Sequence, residues 1–203
     1  MSNVVPTVFV VDDDPAVLKG LSRLLRAARL TVSTFSSSQE FLEQLDPRGP
    51  GCLVLDLAMP GLNGLELQEA LMKKGNAVPI IFLTGHGDVP TSVQAMKRGA
   101  LDFLTKPVND EDLLKAVYAA IEKDRNARQA RAELDEIRER LATLTPRERE
   151  VLTHVVSGQL NKQIAFDLGT VEQTIKVHRA RVMEKMKVHS VAELVRLTER
   201  VKE

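Results

Sequence analysis

Cys52-Leu53-Val54-Leu55-Asp56 is an apolar run that ends on a carboxylate. A strand covered on both faces reads as such an unbroken run. In a parallel sheet its last residue lies at the carboxyl edge, where open α/β sheets bind ligands. Val10-Val11-Asp12-Asp13-Asp14 repeats the pattern and ends in acids. Phe103-Leu104-Thr105-Lys106-Pro107 ends in a lysine, and the run over 80–83 leads into the hydroxyl of Thr84. Side by side, these ends would gather carboxylates, a cation and a hydroxyl at one edge.

Outward from that stretch, residues 1–123 alternate strand-like and helix-like patterns. Strands are predicted at 7–11, 31–35, 52–55, 80–83 and 101–104. Helices are predicted at 15–28, 37–45, 64–74 and 89–98. Val17, Leu18, Leu21, Leu24 and Leu25 recur at helical spacing, Pro15 suits a first turn after an Asp cap, and Ser37 or Ser38 can cap the second helix. Repeated β–α units without hairpin signals imply a parallel, doubly wound five-stranded sheet with right-handed crossovers.

From Asp110 to about Ala142 the chain has no Pro or Gly. The stretch predicts one helix of ~33 residues, about 50 Å long at ~1.5 Å per residue. Leu113, Leu114, Val117, Ala120 and Ile121 form a face for the sheet. Ala127, Ala130, Leu134, Ile137, Leu141 and Leu144 then step by three and four, as in a heptad seam. Thr145-Pro146-Arg147-Glu148 is a capping box with a first-turn proline. Helices predicted at 146–157, 162–168, 171–186 and 191–200 make a small all-α domain, with a tight turn around Gly169. The division is therefore 1–123, a helical linker at 124–142, and 143–203.

Residues 1–123 carry 12 Lys+Arg against 15 Asp+Glu, a net charge of −3, whereas residues 143–203 carry 11 against 8, a net +3. An acidic front suits a metal and a basic back suits an anion. Cys52 is the one cysteine, which excludes an internal disulfide and a Cys-rich metal site. Its place in an apolar run marks it as a small buried hydrophobe. No charged-then-apolar signal opens the chain and no apolar run reaches a membrane span, so a cytoplasmic protein without membrane contact is expected.

The sheet-edge groups suit Mg²⁺-assisted phosphoryl transfer onto Asp56. Mg²⁺ takes a few carboxylates plus phosphate oxygens, and positioning with charge neutralisation carries most of such catalysis. The order and spacing of Val11-Asp12-Asp13-Asp14, Leu55-Asp56-Leu57-Ala58-Met59-Pro60-Gly61, Leu83-Thr84-Gly85-His86-Gly87-Asp88 and Lys106-Pro107 resemble the receiver domain of two-component response regulators, in its FixJ branch. The resemblance implies a flavodoxin-like fold with Asp56 as phospho-acceptor. It implies a Mg²⁺ (or Mn²⁺) site from Asp12, Asp13, Asp56 and the backbone carbonyl of Ala58. Thr84 and Lys106 match its phosphoryl-sensing pair, and Phe103 its switch aromatic. Ala58 departs from the branch, which often carries Arg there; a carbonyl ligand is unaffected by that change. His86 is read as a structural or loop residue, because the phosphodonor histidine belongs to another protein. His154, His178 and His189 show no paired metal-ligand spacing.

Residues 143–203 are similar to the LuxR/NarL-type helix-turn-helix. The similarity lies in Leu144-Thr145-Pro146-Arg147-Glu148-Arg149-Glu150-Val151-Leu152, Asn161-Lys162-Gln163-Ile164-Ala165 and Thr174-Ile175-Lys176-Val177-His178-Arg179. Ile175, Val182 and Met186 can face a core, while Lys176, Arg179, Arg181 and Lys187 can face phosphates or base edges, as a recognition helix requires. By family position Lys176 and Val177 face bases, and Ala180 occupies a third position where relatives have Lys.

Together these features lead to the expectation of a phosphorylation-controlled transcription regulator of the FixJ/NarL family, not an enzyme beyond its own stoichiometric phosphorylation. The resemblance implies as partners a sensor histidine kinase, double-stranded DNA, RNA polymerase and, on phosphorylation, a second copy of the chain; the face at roughly residues 89–123 would then favour that pairing or release the DNA-binding domain. A haloacid-dehalogenase-like phosphatase would need a second Asp where Ala58 stands. A constitutive DNA-binding protein with a silent receiver would not need the acid, Thr and Lys set.

Overall fold

The computed structural model describes residues 5–44, 49–85 and 89–201. Leu45, the expected end of the second helix, and His86 lie outside them. The chain divides into two compact units, Met1–Arg128 and Gln129–Glu203.

The first unit runs β1 (Thr7–Val11), α1 (Pro15–Ala27), β2 (Thr31–Phe35), α2 (Ser38–Gln44), β3 (Gly51–Asp56), α3 (Gly64–Lys73), β4 (Ile80–Thr84), α4 (Val89–Lys97), β5 (Asp102–Thr105) and the start of α5 (Asp110–Ala142). The sheet order is β2-β1-β3-β4-β5, with every neighbour parallel. β3 and β4 are buried along their whole length, as their unbroken apolar runs require. Two cores result, one on each face of the sheet. Leu21, Leu25, Leu113, Val117, Ala120 and Ile121 cover one, and Phe41, Leu67, Leu71 and Ala95 cover the other. Asp14 caps α1 by accepting from Ala16 N–H, ahead of Pro15. Ser37 accepts from Glu40 N–H and so caps α2.

The second unit holds the end of α5 with α6 (Pro146–Val156), α7 (Asn161–Asp167), α8 (Glu172–Lys185) and α9 (Val191–Glu199). Thr145 and Glu148 form the reciprocal capping box at the head of α6. Gly169 turns the chain between α7 and α8 at φ +62°, a conformation only glycine adopts without cost. Ile175, Val182 and Met186 are buried with Val151, Ile164 and Leu194.

The heptad seam is only in part a free stripe. Ala127 and Ala130 are exposed. Ile137 and Leu144 are buried in the core of the helical unit, and Leu141 packs against it. Steps of three and four suit a helix packed on its own domain as well as one packed on a partner helix. Near the middle of α5 Asp124 is buried, and it accepts from Gly51 N–H at 2.8 Å and from Arg128 Nε at 2.7 Å. A side chain at the head of the expected linker is thus pinned to the start of β3. Among the described residues no helix is long and apolar enough to cross a membrane.

Candidate functional site

The parallel register sets Val11 beside Leu55 and Asp56 beside Leu83, so Asp12, Asp56 and Thr84 all emerge at one edge of the sheet. Asp12 and Thr84 are almost wholly buried and Asp56 nearly so, while Asp13 and Ala58 are exposed. One carboxylate oxygen each from Asp12, Asp13 and Asp56 lie within 4.8 Å of one another, an acidic cluster fit to hold a metal ion. Oxygen donors of this kind suit a hard divalent cation.

Lys106 reaches into the cluster from the end of β5. Its Nζ lies 2.6 Å from Asp12 Oδ2 and 3.2 Å from Asp56 Oδ1. The backbone supports this reach, because Lys106 N–H donates to Thr84 C=O at 2.7 Å. Burial and the Asp12 charge push the Asp56 carboxyl above the ordinary carboxylate range, and Lys106 pulls against them. Burial presses the Lys106 ammonium down, but its hydrogen bond and charge contact with Asp12, joined by Asp56, outweigh it and the pKa rises. Among the described residues three acids meet one cation here, which leaves the cluster short of positive charge.

Gly64 lets the head of α3 approach closely the end of the acceptor strand. A Cβ there would lie 2.5 Å from the Asp56 carbonyl oxygen, so any side chain would push α3 off the end of β3. Phe103 is half-buried and packs on Phe82 with ring centroids 6.2 Å apart. Cys52 is fully buried, and burial, with Asp124 adding to it, pushes its thiol up to about 12.

In the helical unit Lys176, Val177, Ala180 and Arg181 lie on the outward face of α8. Arg179 does not stand free there: it donates to Asn161 Oδ1 at 2.9 Å and ties α8 to the first turn of α7. Lys187 is exposed just past the helix at φ +53°. Lys185 is drawn inward to Glu148 Oε2 at 2.6 Å and the Thr143 carbonyl at 3.1 Å. Sequence reasoning passed over Glu172 and Gln173, which share the outward face of α8. Their spacing of three and four residues from Lys176 was the available signal.

The sequence matches the response regulator receiver domain over residues 8–118 and the luxR family of bacterial regulatory proteins over residues 142–198. The chain belongs to the response regulators. TodT of Pseudomonas putida, a response regulator protein, is 45% identical over 203 residues, which is 100% of this chain and 89% of TodT. The transcriptional regulatory protein FixJ of Azorhizobium caulinodans is 46% identical over 192 residues, covering 94% of this chain and 90% of FixJ. The solved structure of the response regulator StyR aligns with a TM-score of 0.91 at 47% identity, covering 97% of this chain and 99% of StyR. This response regulator therefore joins a receiver to a LuxR-type DNA-binding domain, in a family of two-component transcriptional regulators.

Proposed function

We propose that this response regulator is switched by phosphorylation of Asp56. The observation that carries the reading is Lys106 Nζ within ion-pair distance of both Asp12 and Asp56 at the carboxyl edge of the sheet. A carboxylate oxygen of Asp56 attacks the phosphorus of a phosphohistidine on a partner sensor kinase. The P–N bond breaks, the imidazole departs with the electron pair, and an acyl phosphate forms. Mg²⁺ (or Mn²⁺), held by Asp12, Asp13, Asp56 and the Ala58 carbonyl, would neutralise charge on the phosphoryl oxygens. Lys106 holds one of those oxygens once the new charge draws it from Asp12, and Thr84 takes another. Phe103 follows Thr84, coupling the site to residues 89–123.

The modified state favours a homodimer, a population shift in which the phosphoryl group biases two receiver conformations. The working division is a receiver at 1–123, a helical linker at 124–142 and a DNA-binding domain at 143–203. Lys176, Val177, Ala180 and Arg181 face base edges or flanking phosphates of double-stranded DNA, and Lys187 faces phosphate. Arg179 contributes through its bond to Asn161, by setting the angle of α8. The protein works in the cytoplasm beside RNA polymerase, and its phosphorylation is stoichiometric rather than a turnover.

The test is Mg²⁺-dependent labelling by a small phosphodonor. Asp56→Asn abolishes labelling, and chelation of the divalent ion abolishes it in the wild type. Labelling of Asp56→Asn at the wild-type level would remove Asp56 from the acceptor role.

A further inference from the structure

The recognition helix is less basic than its sequence. α8 carries Lys176, Arg179, Arg181 and Lys185 against Glu172 and Glu184. Arg179 is spent on Asn161 and Lys185 on Glu148. What remains on the outward face is Lys176 and Arg181 against Glu172 and Glu184, all exposed, a net charge of zero. Such a face gains little from phosphates alone, because non-specific affinity for DNA comes from released counterions. A carboxylate on it is repelled by the DNA backbone unless a donor on the DNA offsets the repulsion.

Glu172 is the first residue of α8, and recognition helices present their N-terminal residues to base edges. Its Oε1 lies 3.2 Å from Lys176 Nζ, one turn along the same face, with both side chains about half exposed. Val171 before it makes no side-chain hydrogen bond to the helix start. The pair leaves capacity unused on both heads. The ammonium has three protons and the carboxylate several lone pairs. An acceptor and a donor held side by side match the amino and keto groups that a base pair sets together in the major groove, adenine N6 with thymine O4 or cytosine N4 with guanine O6. In a G·C pair the cytosine N4 amino group and the guanine O6 are neighbours, about 2.9 Å apart across their own hydrogen bond. Guanine adds N7 as a second acceptor for the lysine, which an A·T pair does not provide on the keto-bearing base.

We propose that Glu172 is a specificity-determining residue, and that Glu172 and Lys176 together read a single G·C pair. The carboxylate accepts from the cytosine amino group while the ammonium donates to guanine O6 and N7. A keto oxygen facing Glu172, or a lost acceptor facing Lys176, leaves a charge unpaired in the groove and rejects the wrong base. This inference rests on the DNA-binding reading of α8 given above.

The experiment selects duplexes from a random library with the full-length chain treated with a small phosphodonor. Binding curves on the recovered sequence and its single-base variants follow. The wild type recovers a shared G·C pair whose replacement weakens binding about tenfold or more. Glu172→Gln and Lys176→Ala each flatten the preference at that same position and leave neighbouring positions unchanged. Glu172→Gln also binds random DNA more tightly, since a repelled carboxylate has gone, whereas Lys176→Ala binds it more weakly. If the two variants flatten different positions, the pair does not share a base pair and the inference falls. If Glu172→Gln keeps the wild-type preference everywhere, Glu172 serves only the helix end and the inference falls while DNA binding by α8 stands. Recovery of no shared sequence by the wild type would overturn the DNA-binding reading itself.

Discussion

The two units each contain a nearly buried carboxylate 2.6 Å from a lysine, Asp12 with Lys106 and Glu148 with Lys185. The bonds have equal length and opposite meaning. Glu148 has partners of its own: its Oε2 accepts from Lys185 and from Thr145 N–H, and Thr145 Oγ1 accepts in turn from Glu148 N–H. Those donors hold its carboxyl down at about 2. Asp12 shares its one lysine with Asp56 and has Asp13 close by, and the Asp56 carboxyl is driven up. A carboxylate with a cation and a backbone donor of its own is a structural part. A set of carboxylates short of cations is a receptor for one, and for a group that arrives with it.

The largest effect separating the two belongs to the Glu148 site. Glu148→Ala removes the cap acceptor and leaves Lys185 without its partner, and the helical unit loses about 2 kcal/mol. Chemical denaturation of the full chain, followed by amide exchange in each unit, reads this loss. It is confined to residues 129–203 and is insensitive to Mg²⁺. An equal loss in the receiver would break the comparison.

A smaller effect of opposite sign is expected at the crowded site. Asp13 is the exposed member of the cluster. Asp13→Asn relieves repulsion and raises receiver stability by about 0.5 kcal/mol in metal-free buffer. The same change weakens divalent binding, so added Mg²⁺ stabilises the variant less than the wild type. Unfolding midpoints with chelator and with excess Mg²⁺ supply both numbers. A variant less stable without metal would show that Asp13 is held by contacts rather than strained by its neighbours.

Why one site was legible in the sequence and the other only half so follows from where their partners lie. The strand ends announce themselves, because an apolar run must stop where the sheet stops, and Asp56, Thr84 and Lys106 stand at those stops. The capping box at Thr145 and Glu148 is equally local. Lys185, however, comes 37 residues after Glu148, and Asp124 comes 73 after Gly51; each pair meets only through the fold. The charge count includes Lys185 and Arg179 among the cations, and only the fold shows them bonded to Glu148 and Asn161. Ile137 failed in a related way. Its spacing marks a buried stripe without saying whether a second copy or the chain's own α6–α9 core buries it, and here the core does.

The smallest effect is the dependence on acid, where the two sites run in opposite directions. The Glu148 carboxyl is depressed from 4.5 to about 2, so its contribution is fully present above 4.5 and is lost as pH falls through about 2. The Asp56 carboxyl is raised above 3.8, so in metal-free buffer its contribution is present below 3.8 and is lost as pH rises through the higher folded value. Acidification from neutral pH therefore steadies the receiver at this site as pH falls through the folded value towards 3.8, and weakens the helical unit only below 4.5. Amide-exchange protection of each unit in chelator, corrected for the intrinsic pH dependence of exchange, follows both windows in one sample. Glu148→Gln removes the low-pH loss from residues 129–203, and Asp56→Asn removes the gain from the receiver. Mg²⁺ suppresses the gain as well, because a bound cation favours the ionised carboxylate and lowers the folded value. If protection in the two units fell in parallel with acid, with and without Mg²⁺, the crowded site would not differ from the Glu148 site.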